Sequence, residues 1–324
     1  MLTYLVRRIL YSVPVLLAVS FVTFWGLRIT TDPLLKFRNL RNAATILPIQ
    51  RKRLGLDQPI IVQWWKWLLN ALQGDLGVSS RTNGAVGGEL IHALGTTMHL
   101  VIWGTIISSV VAVSVGVYSA VKQYSIGDYA FTGLSYIGIA MPPFWFALMA
   151  IVLLVTWPKV HWDLDQPIFY SIGLHSTDRS GIFNLDYFRH LALPVMTLVV
   201  QTIASWSRYM RASMLEVLGA DYVRAAKAKG VPRRTVILSH ALRNALIPLV
   251  TVMALDTAFL FGGLIITEKI YSIPGTGTYF LNALTAGDAP ALLGYTLLTG
   301  ILVITANLIA DVLYGVLDPR IRLS

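Results

Sequence analysis

Two groups of residues carry charge that needs a reason. The first is the stretch MRASMLEVLGADYVRAAKAKGVPRRTVILSHALRNALIP from Met210 to Pro248, between two long apolar segments. In or beside it Arg208, Arg211, Arg224, Lys227, Lys229, Arg233, Arg234 and Arg243 stand against Glu216 and Asp221 alone. That imbalance marks a cytoplasmic loop of a membrane protein. The second is Asp256, the one acid deep within an apolar span, Asp311 standing near the inner end of the last. A carboxylate at mid-bilayer costs about 3 kcal/mol on insertion scales, so it must face a cavity or a partner. It can neutralise a cationic group, or accept hydrogen bonds from a neighbouring span.

Local punctuation gives the basic stretch a shape. Leu218, Tyr222 and Ala226 fall on one helical face, and Lys227 and Lys229 close the last turn, where cations suit the carbonyl end. Gly230 can take the left-handed conformation that ends a helix, and Pro232 can open the next, whose first turn needs no amide hydrogen. The reading is helix, tight Gly-Val-Pro turn, second helix. A loop that only anchors topology needs charge, but not two capped helices sharing an Ala-rich face.

These elements belong to a chain dissolved in lipid. Of its 324 residues 55% are hydrophobic and 13% charged, with mean hydropathy +0.64. The net charge of +10 would suggest nucleic acid in a soluble protein, yet the basic residues cluster at the ends of apolar runs, as orientation signals do. The chain has no cysteine, hence no disulfide and no thiolate nucleophile or ligand. No phosphate-binding Gly-x-x-x-x-Gly-Lys-Ser/Thr occurs, so any ATP and magnesium must act on partner subunits and no cofactor is expected on this chain. His-Glu-x-x-His and Gly-x-Ser-x-Gly are also missing, which argues against an enzyme.

The expected fold class is an all-α membrane protein with six transmembrane helices and a large external loop after the first. Arg7 and Arg8 precede an uncharged run from Ile9 to Leu27, read as an uncleaved first span inside segment 1–30. Residues 31–93 form an extracytoplasmic loop with an amphipathic helix around Trp64, Trp65 and Trp67; its eight Lys and Arg weigh against that side, but the charge rule weakens in long loops. A core of 94–317 follows, with spans from Leu94 to Val121, Tyr129 to Trp157, His190 to Ser207, Asn244 to Thr267 and Ala289 to Leu317. The second and third spans are joined by the tight turn KQYSIGD; the basic cytoplasmic loop is 210–245, and the tail 318–324 carries Arg320 and Arg322. The third span contains Met141-Pro142-Pro143-Phe144-Trp145, where prolines bend a helix; Pro143, Phe144 and Trp145 either line a path or mark a packing kink. His99 and Asp256 are the only candidates for metal ligation near mid-membrane, too few for a shell, so no metal site is expected.

The basic loop resembles the EAA motif of ABC-importer permeases, the segment that docks into a groove on the partner ATPase. Ala225, Ala226 and Gly230 match the pattern; Arg224 stands where glutamate is usual, His240 where isoleucine is, and Arg243 where proline is. Such departures are similar to the dipeptide/oligopeptide/nickel branch. YLVRRILYSVPVLLAVSFVTFWGLR, LGLDQP, GDLG at Gly74–Gly77, Pro-x-Phe-Trp, the Ile273–Gly277 string Ile-Pro-Gly-Thr-Gly and the closing DPRIR look like that branch as well, over nearly the whole chain. The resemblance implies a type I ABC importer permease in a prokaryotic cell membrane, with both termini cytoplasmic. It further implies a homologous second permease, two cytosolic ATPases, an extracytoplasmic binding protein and a peptide substrate. Nickel or glutathione import remains an alternative within the family, and a secondary transporter outside it, although paired repeats and several mid-bilayer ionisable groups are missing. Asp221, Tyr222, Arg224, Ala225, Ala226, Lys227, Lys229, Gly230, Pro232 and Arg233 are the expected ATPase-coupling residues; Pro143, Phe144, Trp145 and Asp256 are the pathway candidates.

Overall fold

The structure is a computed structural model and describes residues 2–32, 34, 38, 42–53, 55–176, 183–261 and 264–317. The expected tail 318–324, with Arg320, Arg322 and DPRIR, lies outside these residues, as do parts of the expected outer loop 31–93. Among the described residues the chain is helical, with one isolated bridge between Val78 and Ala85 as its only β pairing. Six helices among the described residues are long and apolar enough to cross a membrane: α1, Leu2–Thr30; α4, Val86–Val121; α6, Pro143–His161; α7, Leu185–Leu218; α9, Arg233–Phe261; and α12, Ala289–Leu317. Shorter helices are α2 Ala43–Arg53, α3 Ile60–Leu72, α5 Ile126–Ala140, α8 Asp221–Ala228, α10 Ile265–Ile270 and α11 Thr276–Ala286.

α4 and α7 form the centre. Along α4 the small residues Gly104, Ser108, Ala112, Gly116 and Ala120 recur every four positions and are buried, which makes a flat strip on one face. α7 approaches so closely that a Cβ on Gly116 would lie 2.5 Å from Cβ of Met210 and 2.8 Å from the Ser207 carbonyl oxygen. Trp206, Met210, Met214, Ala245 and Leu249 complete this packing between α4, α7 and α9. Without a hydrophobic driving force between helices in lipid, such close contact supplies the cohesion.

α4 starts eight residues earlier than the expected span. Its extra turns place Val86, Leu90 and Ala93 against Tyr279 and Ala283 of α11 and Ala291, Leu292 and Tyr295 of α12. Here also Ser79 Oγ donates to buried Asp288 Oδ2 at 2.5 Å, and Asp75 Oδ1 accepts from Gly77 N at 2.9 Å, so the GDLG segment is a turn. The Ile273–Gly277 string links α10 and α11 over Glu268, which is fully buried and accepts from Thr97 Oγ1 and Thr278 N, both at 2.8 Å. At the opposite end of the bundle Arg8 and Asp311 form an ion pair at 3.0 Å, closing α1 onto α12.

Four expected boundaries are corrected. The third span is not one bent helix: the chain breaks between α5 and α6, because each proline forces the residue before it out of the helical region, leaving Met141 at ψ 119° and Pro142 at ψ 137°. Met210–Leu218 belongs to α7, whose helix runs eleven residues past the expected end at Ser207. The second helix of the basic loop is the beginning of α9, with a π-helical stretch at Val236–Ala241, so the fifth span starts at Arg233 instead of Asn244. It also ends at Phe261, and Thr267 lies in the separate helix α10.

Candidate coupling loop

The two ends of the bundle can be followed through contacts. The start of α4 meets the start of α12; its end leads through Lys122–Ser125 into α5, whose first turn binds the last third of α7. α8 follows α7 and therefore lies at the end opposite α11. The basic loop reduces to Gly219–Pro232, with α8 between two short links.

The links are built by different local chemistry. Gly219 ends α7 in an ordinary right-handed conformation, φ −82°, its N–H donating to the Leu215 and Glu216 carbonyls at 3.3 and 3.2 Å. Leu218 therefore stands on α7 and does not share a face with Tyr222 and Ala226, contrary to the periodicity. In the other link Gly230 takes the expected left-handed conformation, while Pro232 stands before the helix and not in its first turn. Gly230 has φ +76°, its N–H donates to the Lys227 carbonyl at 3.0 Å, and Val231 N–H donates to the Ala226 carbonyl at 3.3 Å. This pair of bonds around a left-handed residue satisfies two end carbonyls of α8. Pro232 is one position outside α9, at φ −54° and ψ 137°, and Arg233 is the first helical residue.

α8 stands nearly free of the bundle. Only Val223 is fully buried, while Asp221, Tyr222, Arg224, Ala225, Lys227 and Lys229 are exposed and Ala226 is half-buried. Arg224 and Asp221 pair with one another across one turn of the exposed surface. Tyr222 OH accepts from Asn244 Nδ2 at 2.8 Å, a strut from α8 to α9 that the sequence reading missed. With Val236 buried beneath, the segment presents a small, shaped, mostly cationic surface on a fixed base.

The supporting frame contains an ion pair that spacing could not show. Arg211 Nε and Nη2 each donate to Asp128 at 2.8 Å, joining α7 to the KQYSIGD turn. Asp128 Oδ2 also accepts from Tyr124 N at 3.0 Å. The Arg211 hydrogen bonds outweigh burial and hold the Asp128 carboxyl low, at about 2.

The pathway candidates are not one cluster in the hydrogen-bond network. Asp256 Oδ2 accepts from Trp206 Nε1 at 2.7 Å, tying α9 to α7, which is the structural role open to it. Phe144 and Trp145 are exposed on α6 and Pro143 is half-buried at its start. Across the break the Met141 carbonyl, freed from its helix, accepts from Gln201 Nε2 of α7 at 2.7 Å. Gln201 was not singled out; a lone polar residue in an apolar run was its only signal. His99 meets Tyr187 OH through Nδ1 at 2.9 Å, and no group of three or more His, Cys, Asp or Glu able to hold a metal occurs among the described residues.

Comparison with known proteins places this geometry. Residues 112–323 match the model of the binding-protein-dependent transport system inner membrane component, and residues 1–101 match the N-terminal model of such membrane components. The chain is 36% identical to the oligopeptide transport system permease protein AppB of Bacillus subtilis over 325 residues, 99% of this chain and 100% of the relative. It is 36% identical over 341 residues to the dipeptide transport system permease protein DppB of Escherichia coli, covering 99% of each. Identity to the oligopeptide transport system permease protein OppB of Mycobacterium tuberculosis is 34% over 333 residues, the whole of both chains.

Proposed function

We infer the function of this chain from one premise: it belongs to the family of binding-protein-dependent transport system inner membrane components. It is a multi-pass membrane permease of an ABC importer, and di- and oligopeptides are its substrates, the class named for relatives that match it end to end. It works with a homologous second permease, two cytosolic ATPases that hold ATP and magnesium, and an extracytoplasmic binding protein. The α8 end faces the cytoplasm, since the cations of the loop and Arg7 and Arg8 gather at that end.

The observation that carries this reading is the mounting of α8. A mostly exposed eight-residue helix is tied to α7 by Gly219–Ala220 and to α9 by Lys229–Pro232. In the proposed cycle the ATPases close on ATP and displace α8 as a rigid lever. α7 and α9 then tilt and the central path opens toward the binding protein; hydrolysis and separation reset it. Coupling of distant sites requires such differential contact of one element with two partner arrangements. Asp221, Arg224, Ala225, Lys227 and Lys229 form the ATPase-facing surface, and Gly230 and Pro232 set its angle to Arg233 and α9.

The test is uptake by proteoliposomes carrying the full complex. Labelled di- to oligopeptides should enter with ATP and binding protein present. Nickel entry indifferent to competing peptides, or uptake by this subunit alone, would overturn the reading.

A further inference from the structure

At the end of the bundle opposite α8, a cavity of about 450 Å³ lies between α1, α3 and the first turn of α12. Its lining is of two kinds. Phe24 and Leu27 of α1, Leu76, and Pro290 and Leu293 of α12, half-buried or buried, make an apolar floor, and beside them stand the exposed Lys52, Lys66 and Asn70 and the half-buried Arg28, Gln58 and Gln63. No acidic residue lines it, and none of the three cations forms an ion pair among the described residues. Lys66 Nζ is satisfied by a neutral acceptor, Gln58 Oε1, at 2.8 Å. Trp67 also lines the cavity, and its indole Nε1 is buried with no hydrogen-bond partner.

The surroundings identify the phase that meets this cavity. α1 exposes Val22, Trp25 and Ile29 along the same turns, and α3 exposes Ile61, Trp65 and Leu72. α3 is pinned along α1 by the edge-on contact of Phe21 with Trp64 and by Trp64 Nε1 donating to Ser20 Oγ at 3.2 Å. An apolar helix surface ending in an aromatic belt is the signature of a bilayer interface, and long cations there reach toward headgroups. The cationic content that weighs against an outer location for residues 31–93 thus has a use at that location.

We propose that this cavity binds one anionic glycerophospholipid of the leaflet opposite α8, its phosphodiester between Arg28, Lys52 and Lys66 and one acyl chain along α1 on the Phe24–Leu27 floor. A zwitterionic lipid would bring a cation into a site that already holds three. A free phosphate would leave the apolar floor wet. Bound lipid links α1, α2, α3 and α12, which otherwise meet here around an open cavity.

Native mass spectrometry of the full complex, with phosphatidylglycerol as probe, tests this. Each Lys or Arg beside an anionic headgroup contributes roughly fivefold in affinity. The triple variant Arg28→Gln/Lys52→Gln/Lys66→Gln should therefore bind phosphatidylglycerol on the order of a hundredfold more weakly. Lys159→Gln/Lys269→Gln, which removes charge elsewhere, should bind it normally. If the triple variant does not assemble, Lys52→Gln and Lys66→Gln, both exposed, serve singly, each with about a fivefold loss. Phosphatidylcholine and glycerol phosphate should fail to displace the lipid. Equal competition by phosphatidylcholine would reduce the cavity to an apolar cleft, and displacement by glycerol phosphate would make it a soluble-anion site; either overturns the proposal. Unchanged lipid affinity in the variants, with weakened docking of the binding protein, would do the same.

Discussion

Replacing Gly230 by Val isolates the conformational demand of the coupling turn from every steric one. A Cβ built on Gly230 finds nothing within 4 Å, so the substitution meets open space. The only cost is holding a β-branched residue at φ +76°, about 1–2 kcal/mol. That energy opposes the two cap bonds, Gly230 N–H to Lys227 and Val231 N–H to Ala226, and is relieved by rotating α8 away from Arg233. The rest of α8 offers little resistance, since Val223 and the Tyr222–Asn244 hydrogen bond are its main anchors. A bias of this size shifts the correctly oriented population by roughly 5- to 30-fold. The complex should assemble with normal thermal stability, while peptide uptake and the stimulation of ATPase activity by loaded binding protein fall together. Gly230→Asn, whose side chain tolerates the left-handed region, should lose less than Val. Wild-type uptake and ATPase activity in Gly230→Val would refute the argument and leave the loop as a topological anchor.

Arg211→Ala removes two charge-assisted hydrogen bonds from the Asp128 carboxylate and should destabilise the subunit by about 1–3 kcal/mol, whereas pairing Arg211→Met with Asp128→Asn should recover much of the loss; thermal unfolding of the four variants of the cycle measures this. Because the Asp128 carboxyl is depressed to about 2, its contribution is fully present above the ordinary value of 3.8 and lost as pH falls through about 2, so Asp128→Asn should leave a melting temperature with a smaller decline over that acidic range. Asp256→Asn keeps an acceptor for Trp206 and should preserve both assembly and uptake, while Trp206→Phe removes the donor and should cost about 1–3 kcal/mol; loss of uptake in a well-assembled Asp256→Asn complex would move Asp256 into the pathway. Gly116→Ala drives a methyl into Met210 and the Ser207 carbonyl and should cost about 1–3 kcal/mol of thermal stability. Single cysteines at the exposed positions Arg233 and Gln73 should react with impermeant reagents from opposite faces of the membrane, and labelling of both from one face would contradict the six-span arrangement.

Local chemistry was legible wherever a residue acts on its own backbone. Gly230 and Pro232 announce the far end of α8, because a left-handed cap and a proline beside a first turn leave signatures in residue type. The near end leaves none: Gly219 is right-handed, and the apolar period passes through Leu218 without interruption. Paired prolines at 142 and 143 were visible, but not the acceptor they free: the Met141 carbonyl finds Gln201 sixty residues away. The same limit hid the Arg211–Asp128 pair, separated by 83 residues, and the identity of Trp206 as partner to Asp256. The extension of α4 back to Val86 was hidden too, because Glu89 and His92 read as loop and only packing against α11 and α12 makes those turns helical.

The mounting of α8 has a mechanical corollary: the linkage contains almost no slack. Two residues, Gly219 and Ala220, separate α7 from α8, and a chain extends by at most about 3.3–3.6 Å per residue. Three Gly-Ser residues inserted between Gly219 and Ala220 would add roughly 10 Å of idle travel, with every surface residue of α8 unchanged. In the proposed cycle the ATPases would still grip α8, yet their stroke would be spent in straightening the insert. On that proposal contact and transmission are separable, and the shortness of this link is a transport determinant independent of its residue identities.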